Sequence, residues 1–313
     1  MRGELADSPI PALYGAVEGG GTRFVCAVGS SPTDILDSTC VPTRDPATTM
    51  AGCLDFFRRA QQSHGPLTAL GVACFGPIGL RPGAPDYGRV LDTPKPGWSG
   101  AAVVDTLSKG LGVQIALDTD VGAAALGEWR LGAGRGLGSL AYVTVGTGIG
   151  GAMVPQDPAV GRLMHAEMGH LPVRRDPRDA RFAGVCPFHG DCLEGLASGP
   201  AVEGRWGCNL GALPVGHPGR SIIAGYLGQL AASVALMLSA QRIVFGGGVM
   251  TGAAMLPLVR GAAHACLQDY LSPLKTRESL DEYVVAPALG TRSAITGGLL
   301  MAQGLSGGVH VDA

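Results

Sequence analysis

Charge is scarce in this 313-residue chain: Asp, Glu, Lys and Arg make up 15% of it, against about 25% in an average globular protein. The 23 Lys and Arg nearly balance 25 Asp and Glu, the isoelectric point is near 6.4, and no basic run occurs. That balance excludes nucleic acid as the expected partner. Lysine is almost missing, with only Lys95, Lys109 and Lys275 present. The skew towards Arg, with abundant Ala and Gly, reads as genomic composition bias. No cationic stretch followed by an apolar one opens the chain, so no signal peptide is expected. Paired cysteines are lacking as well. The eight Cys are scattered apart from Cys186 and Cys192, which suits a reducing cytosol better than a disulfide framework. There is no G-X-Y period, so collagen is excluded, and no GxxxxGK[ST], so a Walker A loop is excluded.

What is abundant is glycine, 51 residues, with 22 Pro beside it. Disorder does not follow, because 46% of the chain is hydrophobic, mean hydropathy is +0.26 and the net charge is only −2. Length suggests about two domains. One uncharged stretch, Ser221 to Gln241, is long enough to cross a membrane. It is interrupted by Ser221, Gly225, Gln229, Ser233 and Ser239 and leads into a strand. It is read as a core helix, with no membrane partner.

Tyr14-Gly-Ala-Val-Glu-Gly-Gly-Gly-Thr-Arg-Phe-Val-Cys-Ala-Val28 reads as strand, tight turn, strand. Helices are expected over 50–64, around 100–110, Gly122 to Leu131, 221–240, 252–269 and 291–303. Strands are expected at Leu67 to Phe75, 113–118, Arg242 to Phe245 and 283–286. Residues 79–99 form an irregular flap, and 165–200 are polar, irregular and rich in His and Cys. A second glycine hairpin runs from Ala141 to Val154. The two hairpins make a weak internal repeat, which implies two related lobes facing each other across a cleft.

Three constellations carry chemistry. Glycine turns present backbone N–H groups to anions, because the main chain can come close and φ can be positive. Glu18-Gly-Gly-Gly-Thr22 and Gly146-Thr-Gly-Ile-Gly-Gly151 have this form, each with a Thr hydroxyl. Neither is a Rossmann fingerprint, since both run into a second strand. Each alone reads as a plain structural turn. Two of them, with Gly246-Gly-Gly248 after an apolar strand, bring a nucleotide phosphate site level with that reading. Asp120, in Asp118-Thr-Asp120, is either a helix N-cap or a carboxylate placed to accept a proton from a hydroxyl. His170, Cys186, His189 and Cys192 form a Cys2His2 set with the short C-x2-H-x2-C spacing of zinc sites. Against this stands the reading of four unrelated residues with two ordinary buried thiols. A full set leaves no open position, so the zinc would be structural, tying the 170–192 loop and holding Glu167, His170 and Glu194.

Together these segments resemble the ROK sugar kinases (repressors, open reading frames, kinases), and among them the zinc-binding bacterial fructokinases. The likeness runs from about Tyr14 to Gln303. Its carriers include Glu18-Gly-Gly-Gly-Thr22, Phe75-Gly-Pro77, Thr93-Pro-Lys-Pro-Gly-Trp98, Ala123-Ala-Ala-Leu-Gly-Glu128, His165-Ala-Glu-Met-Gly-His170 and Cys186 to Pro200. The resemblance implies an α/β, actin/hexokinase-like (ribonuclease H-like) fold of two lobes. Residues 1–117 with 291–313 would form the small lobe and 118–290 the large one. It implies ATP-dependent phosphorylation of D-fructose to fructose 6-phosphate, with Asp120 as general base. Thr119, Asp120, Glu167, His170 and Glu194 would contact the sugar, His170 using its other nitrogen for zinc. Gly20, Gly21, Thr22, Gly146, Thr147 and Gly148 would cradle phosphates, Gly247 and Gly248 would flank adenosine, and Glu18 would lie near Mg²⁺. ATP with Mg²⁺, a hexose, one structural Zn²⁺, a homodimer and a cytoplasmic location complete the expectation.

Four departures from the family pattern stand out: Arg23 for Lys, Gly122 for Asn beside the base, Ala152 for the last hairpin glycine, and Leu289-Gly-Thr-Arg-Ser without an acidic residue. Gly122 leaves open a hexokinase preferring mannose, glucose or an N-acetylhexosamine. A sugar-sensing repressor would carry an N-terminal helix-turn-helix, for which the stretch before Tyr14 is too short. A non-catalytic sugar-binding protein is the remaining alternative.

Overall fold

The computed structural model describes residues 12–156, 163–214, 216–251 and 255–306. The described residues split into two compact units, 12–120 with 295–306, and Val121–Ala294. Residues 252–254, expected to open a helix, and the ends of the expected small lobe at 1–11 and 307–313 lie outside the described residues.

The first unit is built on a five-stranded sheet ordered β3-β2-β1-β4-β5. Its strands are β1 (Leu13–Gly19), β2 (Arg23–Ser31), β3 (Asp34–Pro42), β4 (Leu67–Cys74) and β5 (Gln114–Thr119). β1, β2 and β3 are antiparallel neighbours, whereas β4 and β5 join β1 in parallel. β1 and β4 are apolar almost throughout because both faces are covered, as parallel strands require. One face packs on α1 (Pro46–His64) and α2 (Val103–Leu111), burying Phe24, Phe57, Leu70 and Leu107. Asp45 starts α1 by accepting from the Thr48 amide at 2.9 Å, with Pro46 at the first helical position. The other face packs on α9 (Ser293–Ser306) through Ile295, Leu299 and Ala302 against Ala16, Ala27 and Ala69.

The second unit repeats the plan with four strands, β6 (Leu140–Val145), β7 (Ile149–Val154), β8 (Ile243–Gly246) and β9 (Val284–Val285), ordered β7-β6-β8-β9. The hairpin is antiparallel and β8 and β9 are parallel to β6. This matches β2-β1-β4-β5 strand for strand, so the repeat seen in the glycine hairpins extends to whole sheets. Its helices are α3 (Asp120–Leu131), α4 (Leu193–Ala197), α5 (Gly199–Trp206), α6 (Pro218–Leu238), α7 (Met255–Leu267) and α8 (Arg277–Tyr283). The uncharged stretch is α6, whose Ile223, Leu227 and Leu230 join Val143, Phe245 and Val259 in the core.

Several elements escaped the sequence pattern. β3 has exposed or half-buried residues throughout, so it shows no apolar alternation. The short helix α4 sits in the His- and Cys-rich segment 165–200 expected to be irregular, and α5 begins at its end. The flap over 79–99 is irregular but anchored, with Ile78 bridging Val90, Arg89 bridging Ala102, and Trp98 fully buried.

Candidate active site

In the first unit the strand register lines up three carboxyl ends. Gly19 pairs with Cys74 and Cys74 with Thr119, so β1, β4 and β5 finish side by side. Loops leaving the carboxyl ends of parallel strands are where α/β sheets bind ligands. Two candidate elements leave from here. One is the turn Gly20-Gly21-Thr22, closed by the Gly20 amide donating to the Arg23 carbonyl at 2.9 Å. The other is Thr119-Asp120, where β5 passes directly into α3.

Asp120 is half-buried in the first turn of α3, where the helix dipole favours a negative charge. Thr119 is buried, and its amide donates to Asp118 Oδ1 at 2.7 Å. Glu18 is pushed up to about 7 by burial first and by the nearby Asp120 charge second, with Arg23 opposing. The two carboxylates are therefore neighbours at this end of the sheet. A cation is on hand too, since the Lys95 ammonium donates to the Gly21 carbonyl.

The second unit assembles the other sequence-predicted residues. Gly146 closes its turn by donating to the Gly148 carbonyl at 2.8 Å. Gly247 has φ +91° and ψ 163°, a region essentially reserved for glycine, and a Cβ there would stand 2.4 Å from the Val145 carbonyl oxygen. That close approach sets Gly247 and Gly248 beside the Gly146–Gly148 turn. Glu194, on α4, accepts from the Ile149 amide at 2.8 Å, so it braces the same turn from its other side. The Glu167–His170 segment packs against β7: Met168 lies under Gly151, and Gly169 lies under the Ile149 carbonyl. The Leu193 amide donates to the Leu171 carbonyl at 2.9 Å and joins His170 to α4. His165 Nδ1 lies 3.3 Å from Glu167 Oε1, a contact to which the sequence pattern had given no role.

The four ligand atoms of His170, Cys186, His189 and Cys192 lie within 4.8 Å of one another. Cys186 Sγ is 3.8 Å from His170 Nδ1 and 3.7 Å from His189 Nδ1, and Cys192 Sγ is 3.5 Å from His170 Nδ1. A tetrahedral zinc with ordinary bond lengths sets sulfur and nitrogen about 3.6 Å apart. The donor set fits that ion. Nδ1 is the nitrogen of His170 turned to the thiols, leaving Nε2 on the other side of the ring.

A family model described as ROK family matches residues 14–304. The chain belongs to the ROK family. Among ROK relatives, a fructokinase of Pediococcus pentosaceus is 38% identical over 291 residues, covering 93% of this chain and 98% of that one. A fructokinase of Zymomonas mobilis is 37% identical over 294 residues, covering 93% and 96%. A ROK glucokinase of Streptomyces griseus, solved with glucose and AMPPNP, superposes with a TM-score of 0.70 at 24% identity, covering 93% of this chain and 99% of that one. The fold is accordingly the actin/hexokinase-like fold of ROK sugar kinases.

Two buried networks had no signal in the sequence beyond residue type. Glu128 on α3 is fully buried and accepts from the amides of Ala133, Ala288 and Leu289 and from the Ser293 hydroxyl, at 2.6–3.0 Å. Every oxygen is thus satisfied, as a buried carboxylate requires. Asp179 meets Arg205 at 2.6 Å and the Tyr226 hydroxyl at 2.8 Å, both side chains of the ion pair being 5% exposed. Burial alone would raise the Asp179 carboxyl, but these partners hold it below the usual range. The network fastens the irregular segment behind the Cys and His residues to α5 and α6. Of the departures, Ala152 lies in β7 opposite Tyr142 rather than in the turn. Gly122 is buried in the first turns of α3, and Arg23 opens β2 exposed.

Proposed function

We propose that this chain is a fructokinase, transferring the γ-phosphoryl group of Mg-ATP to the 6-hydroxyl of D-fructose. The observation that carries the reading is the placement of Asp120 at the carboxyl end of β5, level with the glycine turn of β1 and beside Glu18. Relatives named fructokinase, 37% and 38% identical over nearly the whole chain, support the choice of sugar.

In this mechanism the sugar oxygen attacks phosphorus in line, the new O–P bond forms, and the bond to the ADP oxygen breaks. Asp120 takes the hydroxyl proton. An Asp of ordinary basicity suffices, because that proton leaves late in a loose transition state. Backbone N–H groups of Gly20, Gly21 and Thr22, and of Gly146, Thr147 and Gly148, would hold the phosphates in place of water. Glu18 would hold waters of the magnesium that accompanies ATP. Gly247 and Gly248 would flank adenosine, and Thr119, Glu167, His170 Nε2 and Glu194 would orient the hexose. His170 Nδ1, Cys186, His189 and Cys192 would hold one zinc, which supplies a covalent-strength cross-link to the loop and takes no part in the chemistry.

The two compact units would serve as the two lobes of the kinase. A cytoplasmic homodimer belongs to the same reading. Its eight free cysteines, two of them proposed thiolate ligands, suit a reducing compartment, and the dimer rests on the family relation.

The test is ADP release against a panel of hexoses, with Asp120→Asn alongside. D-fructose is expected to have the highest kcat/KM. Asp120→Asn is expected to lower kcat by at least about 10³-fold with sugar affinity largely kept. Fructose trailing glucose or mannose tenfold would replace the sugar assignment, and near-normal turnover in Asp120→Asn would remove the base.

A further inference from the structure

Lys95 is one of three lysines among the chain's 23 Lys and Arg residues, and the fold delivers it to a single address. Its ammonium donates to the carbonyl of Gly21, 74 residues earlier in the chain and at the centre of the first glycine turn. The peptide that carries it is rigid. Pro94 and Pro96 flank it and restrict its backbone to extended conformations. Three residues on from Lys95, Trp98 is fully buried, stacks on Phe24 at 5.4 Å, meets Phe75 edge-on at 5.1 Å and donates to the Arg44 carbonyl at 2.8 Å. The Lys95 ammonium also lies 5.9 Å from the centre of the Phe75 ring.

Pinning a turn through one carbonyl does not require a charge. An ammonium has three donors, and Gly21 takes one. Among the described residues, no carboxylate lies within ion-pairing distance of Lys95, although Glu18 and Asp120 leave the same end of the sheet. The turn it grips is open, since a Cβ on Gly21 would meet nothing within 4 Å. A half-buried cation with spare donors, held at an open turn of backbone amides, fits a phosphate. A compact ammonium also suits a single oxygen contact better than the wider guanidinium fork.

We propose that Lys95 is a catalytic residue for the reaction assigned above. Docked on Gly21, its ammonium contacts the γ-phosphoryl oxygens of Mg-ATP and neutralises their charge as the group passes to the sugar. It also offsets the repulsion between the phosphates and the two carboxylates. The inference rests on the kinase reading and adds a residue to it.

Lys95→Gln keeps a donor for Gly21 and removes the charge, while Lys95→Met removes both. Both are compared with wild type for kcat with fructose, for affinity towards ADP and AMPPNP, and for Tm. The expected result is a loss of about 10²–10³-fold in kcat for both variants. AMPPNP binding weakens at least about tenfold while ADP binding changes less than about threefold, since only the former carries the γ group. Lys95→Gln keeps the wild-type Tm and Lys95→Met loses some of it, so at least one variant remains folded for the comparison. If kcat in Lys95→Gln stays within about threefold of wild type, or if both nucleotides weaken equally, Lys95 only pins the turn and the proposal is overturned. Wild-type protein that phosphorylates no hexose overturns the kinase reading itself, and the role of Lys95 with it.

Discussion

The two glycine hairpins share sequence form and sheet position, yet opposite charges brace them. The first turn is gripped at a carbonyl, Gly21, by the Lys95 ammonium. The second is gripped at an amide, Ile149, by the Glu194 carboxylate. Their surroundings differ in the complementary sense. The first has Glu18 and Asp120 beside it, close enough that Asp120 helps to raise Glu18. The second has the Gly247 backbone against Val145 and Glu194, two residues after Cys192, against Gly148. The repeat thus conserves the shape of a turn while its charge has diverged. In the proposed kinase reading the first turn would serve the reacting group, with a base and a cation beside it, and the second would help to hold the nucleotide through its amides.

Metal removal should break this symmetry most sharply, because on the proposed reading only the second brace depends on zinc. Cys186→Ser, or chelation of purified protein, is expected to abolish binding of about one zinc per chain and lower Tm by about 10 °C, as a lost structural zinc removes several kcal/mol. Hydrogen exchange should then accelerate at the Ile149 amide and leave the Gly20 amide, which donates to Arg23 at 2.9 Å, protected. Metal-free protein with unchanged Tm and exchange would dismiss the zinc site.

The turns also differ in tolerance of a single methyl group. Gly247→Ala forces a Cβ to within 2.4 Å of Val145 at φ +91°, and the strain and overpacking together should cost about 3–5 kcal/mol. Gly21→Ala meets empty space, so its Tm should stay within about 2 °C while its KM for ATP rises as the phosphate loses close approach to the backbone. Equal Tm values for the two variants would show that the second turn relaxes more readily than its packing suggests.

The repeat, the glycine turns and the Cys2His2 grouping were legible because each is a local string, whereas Asp120 read as a helix N-cap or a base until the family resemblance gave it a role. What was not legible depends on long-range closure. Lys95 looked like part of a family marker, and nothing local tells that it reaches Gly21. Glu128 sits in an Ala-rich helix that gives no hint of partners at Ala288, Leu289 and Ser293. β3 was missed for a different reason: as an edge strand with no buried residue, it carries none of the apolar alternation that pattern reading requires.

The smallest effect tests the charge around the first turn directly. Glu18 titrates near 7 when folded and near 4.5 when unfolded. A carboxyl raised in the folded state binds more protons there than in the unfolded chain, so stability falls as pH rises through the window from 4.5 to about 7. Above that window the ionised Glu18 costs at most about 3 kcal/mol. Glu18→Gln removes the titration, so the variant should be more stable than wild type at pH 8, with the gap closing by pH 5. On the proposed placement of Glu18 by the magnesium of ATP, the cation would favour the ionised carboxyl, so saturating Mg-ATP should shrink the gap at pH 8. A gap that does not vary with pH would mean that burial and the Asp120 charge do not raise Glu18, and the contrast between a first turn gripped by a cation beside two carboxylates and a second gripped by one carboxylate would lose its basis.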